Sequence, residues 1–179
     1  MIEWKLEKLG KYCTFQEGYV NPSQKHPEYF DGDIKWIRAV DLNDSFVYET
    51  SRTLSELGYR SAGKSALLFE PDTIVISKSG TIGRLGIIKD YMCGNRATIN
   101  IKPHNNADLR FIFFLLLMNR KVIEDLAVGS VQRNLYVSIL ENMEFLFPSY
   151  EEQVKIGDFI SCITDKMEEN RKINDNLAA

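Results

Sequence analysis

No two cysteines stand close together in this chain. Cys13, Cys93 and Cys162 are the whole complement, and no CxxC pair exists. An odd, scattered set excludes a disulfide framework or a cysteine-built zinc site as the basis of the fold. Histidine is as scarce: His26 and His104 stand alone, so neither a metal cluster nor a histidine-centred catalytic set is at hand. Long apolar runs are missing too. The longest, Phe111–Met118, has eight residues, whereas a membrane span needs about 20. The start, MIEWKLEKLG, is charged and has no apolar signal core. The expectation is a reduced, cytoplasmic protein without a membrane segment. In that setting the sequon Asn43-Asp44-Ser45 is coincidental.

Catalytic motifs are also lacking. There is no P-loop and no Ser/His/Asp set. An amino-methyltransferase needs a glycine-rich cofactor turn and an Asn/Asp-Pro-Pro-aromatic motif; Asn21-Pro22-Ser23 lacks the second proline and the aromatic. Asp31 and Asp33 with Lys35 superficially match a metal-dependent nuclease, but Asp31-Gly32 is a strong turn signal and explains them better. No catalytic residue and no metal ligand is assigned.

What is present is core material and an uneven charge. Hydrophobic residues make up 44% and aromatics 11% of 179 residues, enough for one globular domain plus an appendage. The net charge of −3 would argue against nucleic acid if it were spread evenly. It is not: residues 1–150 carry 18 basic and 18 acidic side chains, and residues 151–179 carry 4 and 7. Residues 77–102 hold Lys78, Arg84, Lys89, Arg96 and Lys102 against Asp90 alone. A nucleic-acid reader needs such a local basic surface, not a basic average.

The pattern predicts an α+β fold: a β-rich body of short strands with one buried helix, then a long C-terminal coiled-coil helix. Residues 4–15 are expected to form a short amphipathic piece leading into a strand. Strands are expected at Ile34–Val40, Leu67–Phe69, Thr73–Ser77, Leu85–Ile88, Thr98–Ile101 and Met143–Phe147. A short helix is expected over Thr53–Gly58, stopped by Gly58, and one long buried helix over Asp108–Leu126. The terminal helix starts near Ser149, with Glu152 completing a capping box. The domain boundaries are then 1–148 and 149–179. Ile156, Phe159, Ile163, Asn170, Ile173 and Leu177 follow a 3-4 spacing, the seam of a coiled coil. Asn170 reads either as a buried register-setting residue or as an exposed one.

Three loops carry the side-chain types that match base edges or grip phosphates. Lys78, Ser79, Thr81 and Arg84 flank a double-glycine turn. Asn95 and Arg96 follow Cys93-Gly94; the alternative is a turn with Asn95 left-handed and Arg96 paired to a surface acid. Gln132, Arg133 and Asn134 follow Gly129; the alternative is a glycine-capped helix end. Lys35 and Arg38 beside Trp36 form a weaker fourth candidate, with Trp36 itself expected in the core. The loop Gln16–Glu28 is a further candidate.

Five stretches in order resemble a target recognition domain of type I restriction-modification specificity subunits. They are WKLEKLG (4–10), YFDGDIKWIRAVDL (29–42), SKSGTIGRLG (77–86), NRATINIKP (95–103) and 129–177. The resemblance implies a non-catalytic subunit that reads double-stranded DNA. Whole subunits of this kind hold two recognition domains and two spacer helices, which pack as an antiparallel coiled coil. Methyltransferase subunits, using S-adenosylmethionine, dock on that scaffold. A restriction subunit using ATP and magnesium can join them. This chain has one recognition domain and one helix, so a self-pairing half-subunit or half of a longer protein is expected. The alternative is a module that binds a methyltransferase through the helix without reading DNA. SGTIG and GSxQxN runs recur in members of differing specificity, so some of these residues are expected to grip phosphate or brace the fold.

Overall fold

The structure, a computed structural model, describes residues 4–130 and 132–177, except for the side chains of 167, 168, 171, 172 and 174–177. In chain order the elements are β1 (Lys5–Lys8), β2 (Cys13–Glu17), β3 (Phe30–Ile37), β4 (Ser45–Val47), β5 (Thr53–Leu54), α1 (Glu56–Arg60), β6 (Leu68–Phe69), β7 (Thr73–Ser77), β8 (Leu85–Ile88), β9 (Met92–Gly94), β10 (Thr98–Pro103), α2 (Leu109–Met118), α3 (Arg120–Leu126), α4 (Val137–Asn142), β11 (Glu144–Phe147) and α5 (Tyr150–Leu177). The fold class is α+β, as expected.

Three sheets form: β1-β11, β2-β10-β7-β8-β4 and β5-β3-β9-β6. Most neighbours are antiparallel, but β3 runs parallel to β9 and β4 to β8. The alternation of β7 explains the layering. Ile74 and Ile76 face the main core with Ile99, Ile101, Ile112 and Leu116, while Val75 faces a second core with Ile37, Ile88 and Met92 between the two larger sheets. A third cluster, around Phe30, Trp36 and Leu54, lies under α1. Trp36 is 2% exposed and its indole donates to the Val20 carbonyl at 2.8 Å. It belongs to the core.

Several elements differ from the sequence pattern. Residues 4–15 form two strands joined by a 3-10 turn over Leu9–Lys11, not an amphipathic piece. The strand expected from Ile34 begins at Phe30. Phe30 and Ile34 both register with Leu54, so Asp31, at φ 62°, sits in a bulge instead of ending the strand. Ser55 caps α1 by accepting from the Gly58 amide, which leaves Gly58 inside the helix. The long buried helix is two helices. Asn119 adopts φ −98°, ψ 13°, where α2 ends and α3 begins; its side-chain amide shares the Leu115 carbonyl with its own backbone N–H. β9 and α4 were not expected at all.

The body holds the first turns of α5. Ser149 caps it, its hydroxyl accepting from the Glu152 amide at 3.4 Å. A bond from a backbone amide, and then one from the Ser149 hydroxyl, hold the Glu151 carboxyl below its usual range. Gln153, 1% exposed, accepts from the Asp108 amide at 3.1 Å and donates to the Pro148 carbonyl at 3.2 Å. Arg110 pairs with Asp158. Farther along, a cleft of about 530 Å³ separates Ser161, Thr164 and Asp165 from Phe46, Tyr48 and Phe113. Ile156 packs on the main core. Phe159, Ile163 and Ile173 are 69%, 47% and 54% exposed, and Asn170 is exposed. The Leu177 side chain lies outside the described residues.

Candidate nucleic-acid interface

Five loops meet at one end of the five-stranded sheet. There β2 and β7 finish, at Glu17 and Ser77, and β10, β8 and β4 begin, at Thr98, Leu85 and Ser45. Backbone bonds lace the loops together. Gly18 donates to Thr98 at 3.0 Å, Lys78 to Ala97 at 2.8 Å, Leu135 to Lys78 at 2.8 Å, Asn95 to Ile37 at 3.0 Å and Asp44 to Leu85 at 2.8 Å. All three candidate loops from the sequence therefore share one surface.

The Lys78–Arg84 turn is braced from within. The Ser77 hydroxyl donates to the Thr81 carbonyl at 2.5 Å and accepts from the Arg84 amide at 2.9 Å. Gly80 and Gly83 take φ of +73° and +86°, a region that favours glycine. Arg120 then locks the turn to its neighbour: its guanidinium donates to the Gly83 carbonyl at 2.9 Å and to Asp44. Nothing in the sequence marks Arg120 for this task, because its partners lie far away in the chain.

The candidate side chains divide by what they already bind. Lys78 pairs with Glu17 at 2.7 Å and is largely buried. Arg133 turns back to the C-terminus of α3. It donates to the Ala127 carbonyl at 3.1 Å, to that of Asp125 at 2.9 Å and to that of Glu124. The helix end is thus closed by an arginine and not by Gly129, and a cation there also opposes the helix dipole. Asn95 donates to Asn21 at 3.0 Å and accepts from the Ala97 amide at 2.8 Å. It is not among the positive-φ residues. Asn134 forms backbone bridges to Val128 and Ser79, and its amide donates to the Gln132 carbonyl at 3.2 Å. These four brace the surface.

Others are free to meet a ligand. Thr81, Arg84, Arg96 and Gln132 are exposed, and among the described residues none of these four side chains makes a hydrogen bond or ion pair. Among the described residues Arg96 has no surface acid as partner. Lys35 is not part of this surface. It lies on β3 in the four-stranded sheet, bonded at 2.8 Å to each of Asp90, Glu49 and the Tyr48 carbonyl. The bonds from Asp90 and Glu49 hold its ammonium above the usual lysine range. Arg38 lies over the Trp36 ring at 5.2 Å and donates to Ser51 at 2.6 Å. Among the described residues no group of three His, Cys, Asp or Glu could hold a metal ion. No helix there is long and apolar enough to cross a membrane.

The same fold is found in solved specificity subunits. The S subunit of a type I restriction-modification system from M. genitalium superposes with a TM-score of 0.66 over 94% of this chain and 41% of that one, at 19% identity. The HsdS subunit from Thermoanaerobacter tengcongensis gives 0.67 over 94% and 39%, at 15% identity. In sequence, the MjaIX specificity subunit of Methanocaldococcus jannaschii is 29% identical over 180 residues, covering 98% of this chain and 41% of that protein. A putative type I specificity subunit of Mycoplasma genitalium is 29% identical over 99% of this chain and 44% of its own length. The chain spans about two-fifths of the length of these relatives. The family model for the type I restriction modification DNA specificity domain matches residues 1–179, and the chain belongs to that family.

Proposed function

We propose that this chain is a non-catalytic DNA-reading part of a type I restriction-modification system, acting in the cytoplasm. Residues 1–148 bind double-stranded DNA and read one half of a bipartite site. Residues 149–179 act as spacer and docking helix for a methyltransferase subunit. S-adenosylmethionine, ATP and magnesium serve the partner subunits, the restriction subunit among them. A second copy, related by two-fold symmetry, supplies the other half of the helical seam.

The observation that carries this reading is the convergence of five loops at one sheet end. Arg84 and Arg96 stand there with no internal partner among the described residues. Free guanidinium groups beside braced backbone suit phosphate positioning and base contact together. Selection from a randomised duplex pool, with the methyltransferase present, is expected to enrich one motif. Absence of any motif would sink the reading.

The exposed Phe159 and Ile163 favour a second reading, a module that only occupies a methyltransferase. The double variant R84A/R96A separates the two. The first reading expects DNA binding to fall while methyltransferase binding persists; the second expects no DNA binding to lose.

A further inference from the structure

Beside the Lys78–Arg84 turn lies a cleft of about 490 Å³, rimmed by Val40, Asn43, Thr81 and Arg84 and walled by Arg120 and Glu124. We propose that this cleft reads base edges and that Asn43 and Arg84 determine sequence specificity. The inference rests on the DNA-reading role argued above.

Charge is the first reason. Arg120 is already closed on Asp44. That leaves Arg84 and Glu124, one of each sign. Neither makes an ion pair among the described residues. A phosphate grip needs a positive excess, and a carboxylate in it is repelled. Base edges present donors and acceptors side by side, so reading them requires both kinds of group.

The available chemistry is the second reason. Arg84 offers the guanidinium fork that matches guanine O6 and N7. Asn43 is exposed and has no internal hydrogen bond among the described residues; its amide matches adenine N6 and N7. Val40, in the 3-10 turn Ala39–Asp41, is 67% exposed on the rim, an apolar side chain of the kind that packs on a thymine methyl.

Rigidity is the third. Asp41 accepts from the Arg38 and Ser51 amides, each at 2.8 Å, and the Asp44 amide donates to Leu85 at 2.8 Å. The loop bearing Val40 and Asn43 is tied on both sides. A fixed loop can discriminate bases that a mobile one would accommodate.

The test is a base-preference profile. The full chain with its methyltransferase partner selects from a randomised duplex pool, as wild type, N43A and R84A. Each variant is expected to lose preference at one or two adjacent base pairs, by about 5- to 150-fold per pair, while preferences elsewhere persist. A variant that weakens binding to all sequences alike, with the profile unchanged, would show the cleft gripping phosphate and overturn the inference. So would variants indistinguishable from wild type. A wild-type chain that enriches no motif would instead remove the DNA-reading role itself.

Discussion

Arg133 and Arg96 stand at the same end of the domain and use their donors differently. Arg133 bonds three carbonyls at the end of α3. Arg133→Ala leaves them open, and unfolding by urea is expected to show a loss of about 1–2 kcal/mol. Arg96→Ala removes no internal bond, so stability should stay within about 0.5 kcal/mol. Its DNA affinity, titrated at several salt concentrations, should show a log–log slope flatter by about 0.9. The thiols give an independent check of packing. Burial pushes Cys13 and Cys93 up to about 12, while Cys162 is exposed. Because the thiolate is the reactive form, a disulfide reagent at pH 8 should titrate one thiol quickly in the native protein and three in denaturant. Residue types near glycine made the candidate surface legible in the sequence. The division into braces and free groups was not, since the Lys78–Glu17 pair exists only once β2, β10 and β7 are in register. Asn43 looked like a meaningless sequon until the fold placed it beside Arg84.

At the scale of elements, the joint between α2 and α5 depends on one missing methyl group. A Cβ at Gly157 would stand 2.5 Å from Asp108 Oδ1 and 3.2 Å from the Phe111 amide nitrogen. That carboxylate cannot simply swing away, because it caps α2 by accepting from Phe111 at 2.9 Å. Gly→Ala inside an exposed helix normally stabilises by about 1 kcal/mol. Here Gly157→Ala is expected to destabilise by about 1–3 kcal/mol, with a melting temperature below wild type as the readout. β7, β8, β10 and α5 lie where the sequence places them: the strands are apolar runs bounded by turn residues, and α5 is long. β1, β5 and β9 have no such run, and two to four positions are too few for a period to show. Their pairing is set by contacts distant in the chain, including the parallel match of β3 with β9. The break at Asn119 escaped for another reason: apolar residues run through both helices, and only a single asparagine stands at the boundary.

For the whole molecule, the unfinished element is α5. Its 28 residues extend about 42 Å, and the body secures mainly the first turns through Gln153, Ile156, Gly157 and Asp158. A free helix of about 15 residues is marginal in water. Phe159, Ile163 and Ile173 nevertheless hold their apolar surface out to solvent. Covering such side chains contributes about 1.5–3 kcal/mol each when burial is complete, so a second helix along the seam would supply what the body does not. If that helix belongs to another copy, the full chain should sediment as a dimer whose population rises with concentration. Ile163→Asp would place a charge in the middle of the seam, outside the main core, and should return the mass to that of a monomer without lowering the melting temperature of the body. A wild-type monomer at all concentrations would exclude self-pairing and assign the seam to a different chain. Asn170 then becomes informative: in a self-paired seam Asn170→Leu should tighten association while loosening its register, so that cross-linked helices appear in more than one alignment.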